Sequence, residues 1–79
     1  MTRYEASFEI DSKSDSYAAR RILERTYDTI REESRSFRGD SDAASALLEE
    51  FETLRDAVKK PSPGRLVITY EQYDEDFDE

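Results

Sequence analysis

Three short constellations in this 79-residue chain carry residue types capable of chemistry. Asp11, Lys13 and Asp15 have the alternate spacing with which a calcium loop begins. Such a loop requires an acid where Lys13 stands, a glycine where Ser16 stands and a bidentate glutamate where Ile22 stands, so the segment reads instead as a polar turn with a helix cap. Asp40 and Asp42 follow Gly39 at the expected start of a helix, where carboxylates stabilise the positive end of the dipole. Arg38-Gly39-Asp40 spells an integrin-recognition tripeptide, but a glycine that stops one helix and an aspartate that starts the next account for it.

Enzymatic catalysis needs a nucleophile beside a base, or two carboxylates whose environments separate their pKa values. The chain has no His and no Cys, and no Ser has an evident Lys partner. Its two glycines, Gly39 and Gly64, are too few for a phosphate-cradling loop. Without imidazole or thiolate, a zinc, copper or iron centre lacks its usual ligands. The expectation is a protein with no catalytic, metal or cofactor site.

Two features suggest binding. Arg20, Arg21, Arg25, Arg31, Arg35 and Arg38 stand in one stretch, and a helical stripe of arginines can read phosphates. Glu24, Asp28, Glu32 and Glu33 interrupt it, which favours a solvated charged face and leaves nucleic acid as a weak partner at most. The other feature is the acidic C-terminal segment, where Tyr73, Asp74, Glu75, Asp76 and Phe77 follow Tyr70 and Glu71 and precede Asp78 and Glu79. Acidic segments with an aromatic residue dock into basic grooves that hold an apolar pocket. Residues 73–77 are therefore the candidate partner-binding segment.

Four elements must position these residues. Residues 3–10 alternate, with Tyr4, Ala6, Phe8 and Ile10 facing one way and Arg3, Glu5, Ser7 and Glu9 the other, which predicts a half-buried strand. Ser14 or Asp15 would cap a helix over residues 16–37, whose apolar side holds Ala19, Ile22, Leu23, Thr26, Ile30 and Phe37. Gly39, then Asp40 or Ser41, would end it and start a second helix over 41–60 with a seam of Ala44, Leu47, Phe51, Leu54 and Val58, widened by Leu48. Lys59 and Lys60 would close its last turn. Pro61-Ser62-Pro63-Gly64 turns the chain into a second strand over 65–73, with Leu66, Ile68 and Tyr70 inward.

The expected fold class is α+β: a β-α-α-β chain whose two-stranded antiparallel ribbon is covered on one face by an antiparallel helix hairpin. Residues 1–73 would form one domain and residues 74–79 a disordered acidic tail. A two-stranded ribbon leaves two open edges, so a homodimer through a ribbon edge is expected, broken by a proline at Ser7 or Thr69 depending on which strand is outermost.

Charge completes the reading. Twenty acids against twelve bases give −8, and Arg outnumbers Lys nine to three. Residues 1–38 are neutral, with eight bases and eight acids, so residues 39–79 hold the whole excess. In an acid-rich, Lys-poor surface marked by Glu49, Glu50, Glu52, Asp74, Glu75 and Asp76, the chain resembles the small acidic proteins of haloarchaea. That resemblance is one of overall composition and implies a salt-adapted protein. No apolar run approaches the roughly 20 residues of a membrane span, and Met1-Thr2-Arg3-Tyr4-Glu5 does not open a secretory signal, so a cytoplasmic protein without membrane contacts is expected. The expected function is a non-catalytic protein–protein interaction or regulatory module. An acidic mimic of nucleic acid, seated in the groove of a DNA- or RNA-binding protein, is the alternative.

Salt adaptation has a direct consequence. At about 1 M salt the Debye length is about 3 Å, which screens the self-repulsion of a −8 chain. Helical circular dichroism and the thermal midpoint should rise steeply between low salt and about 2 M KCl. Equal stability in dilute buffer would refute the adaptation.

Overall fold

The computed structural model describes residues 1–38 and 42–77, with side chains for residues 1–34 and 45–77. The expected glycine stop at Gly39, the caps at Asp40 or Ser41, and the side chains of Phe37 and Ala44 lie outside the described residues.

The chain runs β1 (Thr2–Ile10), α1 (Lys13–Arg38), α2 (Asp42–Ala57) and β2 (Gly64–Gln72). β1 and β2 pair antiparallel over their full length, from Thr2 opposite Gln72 to Ile10 opposite Gly64. The fold is the α+β ribbon and helix hairpin that the periodicity predicts. The register sets Tyr4 opposite Tyr70, Ala6 opposite Ile68 and Phe8 opposite Leu66, so the expected apolar residues share one face.

Element ends differ from expectation for local reasons. The cap of α1 is Ser12, not Ser14 or Asp15. Ser12 Oγ accepts from the Asp15 amide at 3.1 Å, and Asp15 Oδ2 accepts from the Asp11 amide at 3.0 Å. Asp15 thus sits in the first turn and reaches back in the manner of a capping box, which starts the helix earlier. α2 stops at Ala57, so Lys59 and Lys60 stand in the turn beyond it. Lys59 remains tied to the helix end, its amide donating to the Asp56 carbonyl at 3.2 Å. β2 is shifted by one residue to 64–72, which leaves Tyr73 outside the sheet.

The core is small. Ile10, Ala19, Leu23 and Tyr27 are the buried apolar residues among those described, and Ser16 and Ser34 are buried beside them. On α1 the buried residues 16, 19, 23, 27 and 34, with half-buried Ile30, recur at helical spacing. At 100° per residue this arc is rotated by about 45° from the expected one, toward Tyr27. Ile22 falls outside it and is exposed; Thr26 is half-buried and satisfies its own hydroxyl on the Ile22 carbonyl at 2.8 Å. α2 turns in the same sense: Leu47, Leu48, Phe51, Arg55 and Val58 are half-buried, whereas Leu54, expected in the seam, is 48% exposed.

The hairpin covers only one end of the ribbon. Ile10 is buried, and Phe8 and Leu66 are half-buried; toward the other end Tyr4, Ala6, Ile68 and Tyr70 lie open. α1 packs on β1 and on α2. The molecule measures 45 × 31 × 15 Å, and its radius of gyration is 14.9 Å. A compact chain of this length would have a radius of gyration of about 12 Å. Several of its charges form exposed ion pairs, such as Arg3 with Glu5 at 3.0 Å, which contribute little each.

The rotated arc predicts a contrast between two leucines. Leu23→Ala should cost about 2–5 kcal/mol, as for a buried leucine in a core that cannot collapse around the gap. Leu54→Ala should stay within about 0.5 kcal/mol, as for a surface change. Urea unfolding in high salt measures both, and equal losses would restore the unrotated seam.

Candidate interaction surface

Three surface features collect the residues that can bind. The first is the uncovered end of the ribbon. Tyr4 and Tyr70 stack there, ring centroids 6.3 Å apart and planes inclined by 17°, a cross-strand pair of the kind that stabilises a ribbon. Both rings remain more than half exposed, as does Ile68 next to them on the same face. On the opposite face Val67 is exposed, flanked by Arg65 and Thr69.

The second feature is the candidate segment 73–77. It joins Thr2 and residues 70–72 in lining an open groove of about 550 Å³ at the end of the ribbon. The N-terminal ammonium of Met1 donates to Asp74, which ties the segment to the start of β1. Tyr73 is exposed, and Phe77 is 91% exposed. The structure therefore brings Tyr73, Asp74, Glu75, Asp76 and Phe77 together with Tyr70 in one place. Asp78 and Glu79 lie outside the described residues.

The third feature is a charged groove of about 520 Å³ between the helices, lined by Arg21, Glu24, Arg25, Asp28, Arg55 and Lys59. At its base the Arg55 guanidinium lies 4.2 Å from the Tyr27 ring centroid, and Arg31 lies 5.9 Å from the same ring. Asp56 takes a hydrogen bond from Arg55 Nη2 at 3.1 Å and faces Lys59 Nζ at 3.1 Å. Hydrogen bonds from Lys59 and then Arg55 hold the Asp56 carboxyl below its usual range, against a smaller opposing effect of desolvation. Arg55 loses hydration against its surroundings, but the hydrogen bond and charge of Asp56, together with the charges of Tyr27 and Glu52, raise its pKa. Arg21 and Arg25 of α1 thus share this groove with Glu24 and Asp28, as the interrupted charge pattern implies, whereas the side chains of Arg35 and Arg38 lie outside the described residues.

Sequence reasoning missed the Tyr27–Arg55 contact. Its signal was available in principle, since Tyr27 completes the steps of four from Ala19 and Leu23, but tyrosine also reads as a surface residue. Among the described residues no group of three or more carboxylates converges to hold a metal ion. No helix among them is long and apolar enough to cross a membrane.

The depressed Asp56 gives a signed expectation. A carboxyl whose folded pKa lies below its unfolded value of about 3.9 stabilises the fold above that pH. That contribution disappears as pH falls through the folded value. Asp56→Asn should therefore melt lower than wild type at pH 7, with the gap closing below about pH 4. A gap that stays constant in thermal melts down to pH 2.5 would rule the linkage out.

The chain matches no protein-family model, no curated protein and no solved structure.

Proposed function

We propose that this chain is a non-catalytic protein–protein interaction module, cytoplasmic and salt-adapted, whose working form is a homodimer. One observation carries the reading: the isolated chain exposes 6654 Å². A compact monomer of 9.2 kDa exposes about 4,900 Å², so roughly 1,700 Å² more than expected faces solvent. A standard protein–protein interface buries about 800 Å² on each partner, and obligate homodimers bury more. The excess is of the size that a stable second subunit would cover.

The nature of the exposed surface supports the same reading. Tyr4, Val67, Ile68 and Tyr70 lie along one ribbon, and isolated two-stranded ribbons are marginal in water. A core of four apolar residues among those described gives a chain of this size little independent stability. A partner that extends the sheet would supply both missing backbone hydrogen bonds and missing apolar burial.

The exposed acids Glu49, Glu50 and Glu52 on α2 support a second reading, the acidic mimic of nucleic acid. The two readings separate in solution. Sedimentation at tens of micromolar protein in about 2 M KCl should give a dimer mass, and association should weaken as salt is lowered and the −8 chains repel. A monomer mass throughout would refute the homodimer and leave the mimic.

A further inference from the structure

The homodimer reading leaves open which edge of the ribbon pairs and in what register. We infer that β2 pairs with β2 of a second copy, antiparallel about a two-fold axis through Ile68, to give a four-stranded sheet in the order β1-β2-β2-β1. The inference rests on the homodimer reading and goes further by naming the surface and its alignment.

Geometry restricts the choice first. Residues directly opposite in an antiparallel pair point to the same face and share the same hydrogen-bonding phase. Two copies of one strand therefore align only where the paired numbers add to an even total. For β2, pairing centred on Ile68 uses all nine residues from Gly64 to Gln72; shifted registers leave ends unpaired or run into Pro63.

Side chains then choose this register over the others. It sets Arg65 opposite Glu71 of the second copy, and Glu71 opposite Arg65, two opposite-charge pairs related by the symmetry. Glu71 has no ion-pair partner within the monomer among the described residues. Arg65 donates from Nε to Glu9, which leaves its terminal nitrogens for a second carboxylate. On the same face Val67 meets Thr69, a β-branched pair. On the other face Leu66 meets Tyr70 and Ile68 meets Ile68, which would cover side chains that stand 59% and 60% exposed at Ile68 and Tyr70.

β1 offers a poorer match. Centred on Ala6, it would set Ala6 against Ala6, leaving a gap at the axis, and Glu5 against Ser7. Its one charge match, Arg3 with Glu9, would compete with pairs that both residues already make: Arg3 with Glu5 at 3.0 Å, and Glu9 with Arg65. α1 also packs on β1, whereas every residue of β2 except half-buried Leu66 is exposed.

The chain has no cysteine, so a single introduced thiol reports the axis directly. Under mild oxidation in molar salt, Ile68→Cys should form a disulfide-linked dimer and Ala6→Cys should not. A second, independent readout is charge complementation at the lowest salt that supports the fold. Glu71→Lys alone and Arg65→Glu alone should each keep their circular dichroism, although each faces a like charge on β1 of its own chain (Arg3 and Glu9), and should each lose the dimer, because each also places like charges opposite across the two-fold axis. An equimolar mixture of the two should recover it as a heterodimer, because both cross-strand pairs are then of opposite sign. If wild type sediments as a dimer while Ala6→Cys links, Ile68→Cys does not and the mixture shows no recovery, the β2 alignment is wrong and the homodimer stands. If wild type is a monomer, both fall.

Discussion

The stripe Ser16, Ala19, Leu23 and Tyr27 on α1, closed by Ile10 at the end of β1, joins the helix hairpin to the ribbon in this chain. Burial of an apolar side chain is worth about 1.5–3 kcal/mol at most, so a handful of them must hold together elements that each fail alone. A two-stranded ribbon is marginal in water, and an exposed, charge-laced helix draws most of its stability from whatever its buried arc packs on. Ser16, Ala19 and Ser34 are the small buried residues of this arc, and Leu23 and Tyr27 the large ones. The economy of this junction explains the shape of the molecule. There is enough apolar surface to close one end of the ribbon, and the rest extends past it.

Tyr27 shows how such a small core is finished. Its ring supplies the largest side chain of the buried stripe, while its face meets the guanidinium of Arg55. Arg55 occupies the position on α2 that a purely apolar seam would give to Leu54. The exchange is physically reasonable: an arginine stem covers apolar surface, its planar head stacks on an aromatic face, and Asp56 and the surrounding water keep the charge solvated. The groove beside it then fills with alternating Arg, Glu and Asp, so the interior of the hairpin grades into its charged surface without a sharp boundary.

The ribbon carries the opposite imbalance. Its outer half has paired backbone along one side only, and aromatic and β-branched residues on faces that nothing covers. Natural edge strands are usually blunted by lysine, proline or a bulge. β2 has none of these within Gly64–Gln72 and ends in an acidic segment that turns back to the N-terminal ammonium. A net charge of −8 repels like-charged molecules, most strongly at low salt.

The order β-α-α-β, the antiparallel ribbon and the shared face of Tyr4, Ala6, Phe8, Leu66, Ile68 and Tyr70 were legible in the residues, because a period of two and a period near 3.6 leave distinct marks even in 79 positions. So were the aromatic, acidic character of residues 73–77 and the interruption of the α1 arginines by acids. Periodicity could not say which side of a broad apolar arc would be used. Ile22 and Leu23 are both apolar, and only packing against α2 and β1 chose Leu23 and brought in Tyr27. It also could not say how far along the ribbon the hairpin would reach, since the apolar face of a strand reads alike whether or not anything covers it. The cap at Ser12 is local, since Ser12-Lys13-Ser14-Asp15 has the spacing of a capping box, but Ser14 and Asp15 compete with it as caps by residue type alone. Sequence by itself determined the elements and their faces, because those follow from local stereochemistry; tertiary structure decided which faces are covered, because burial depends on the limited apolar area that neighbouring elements can bring together.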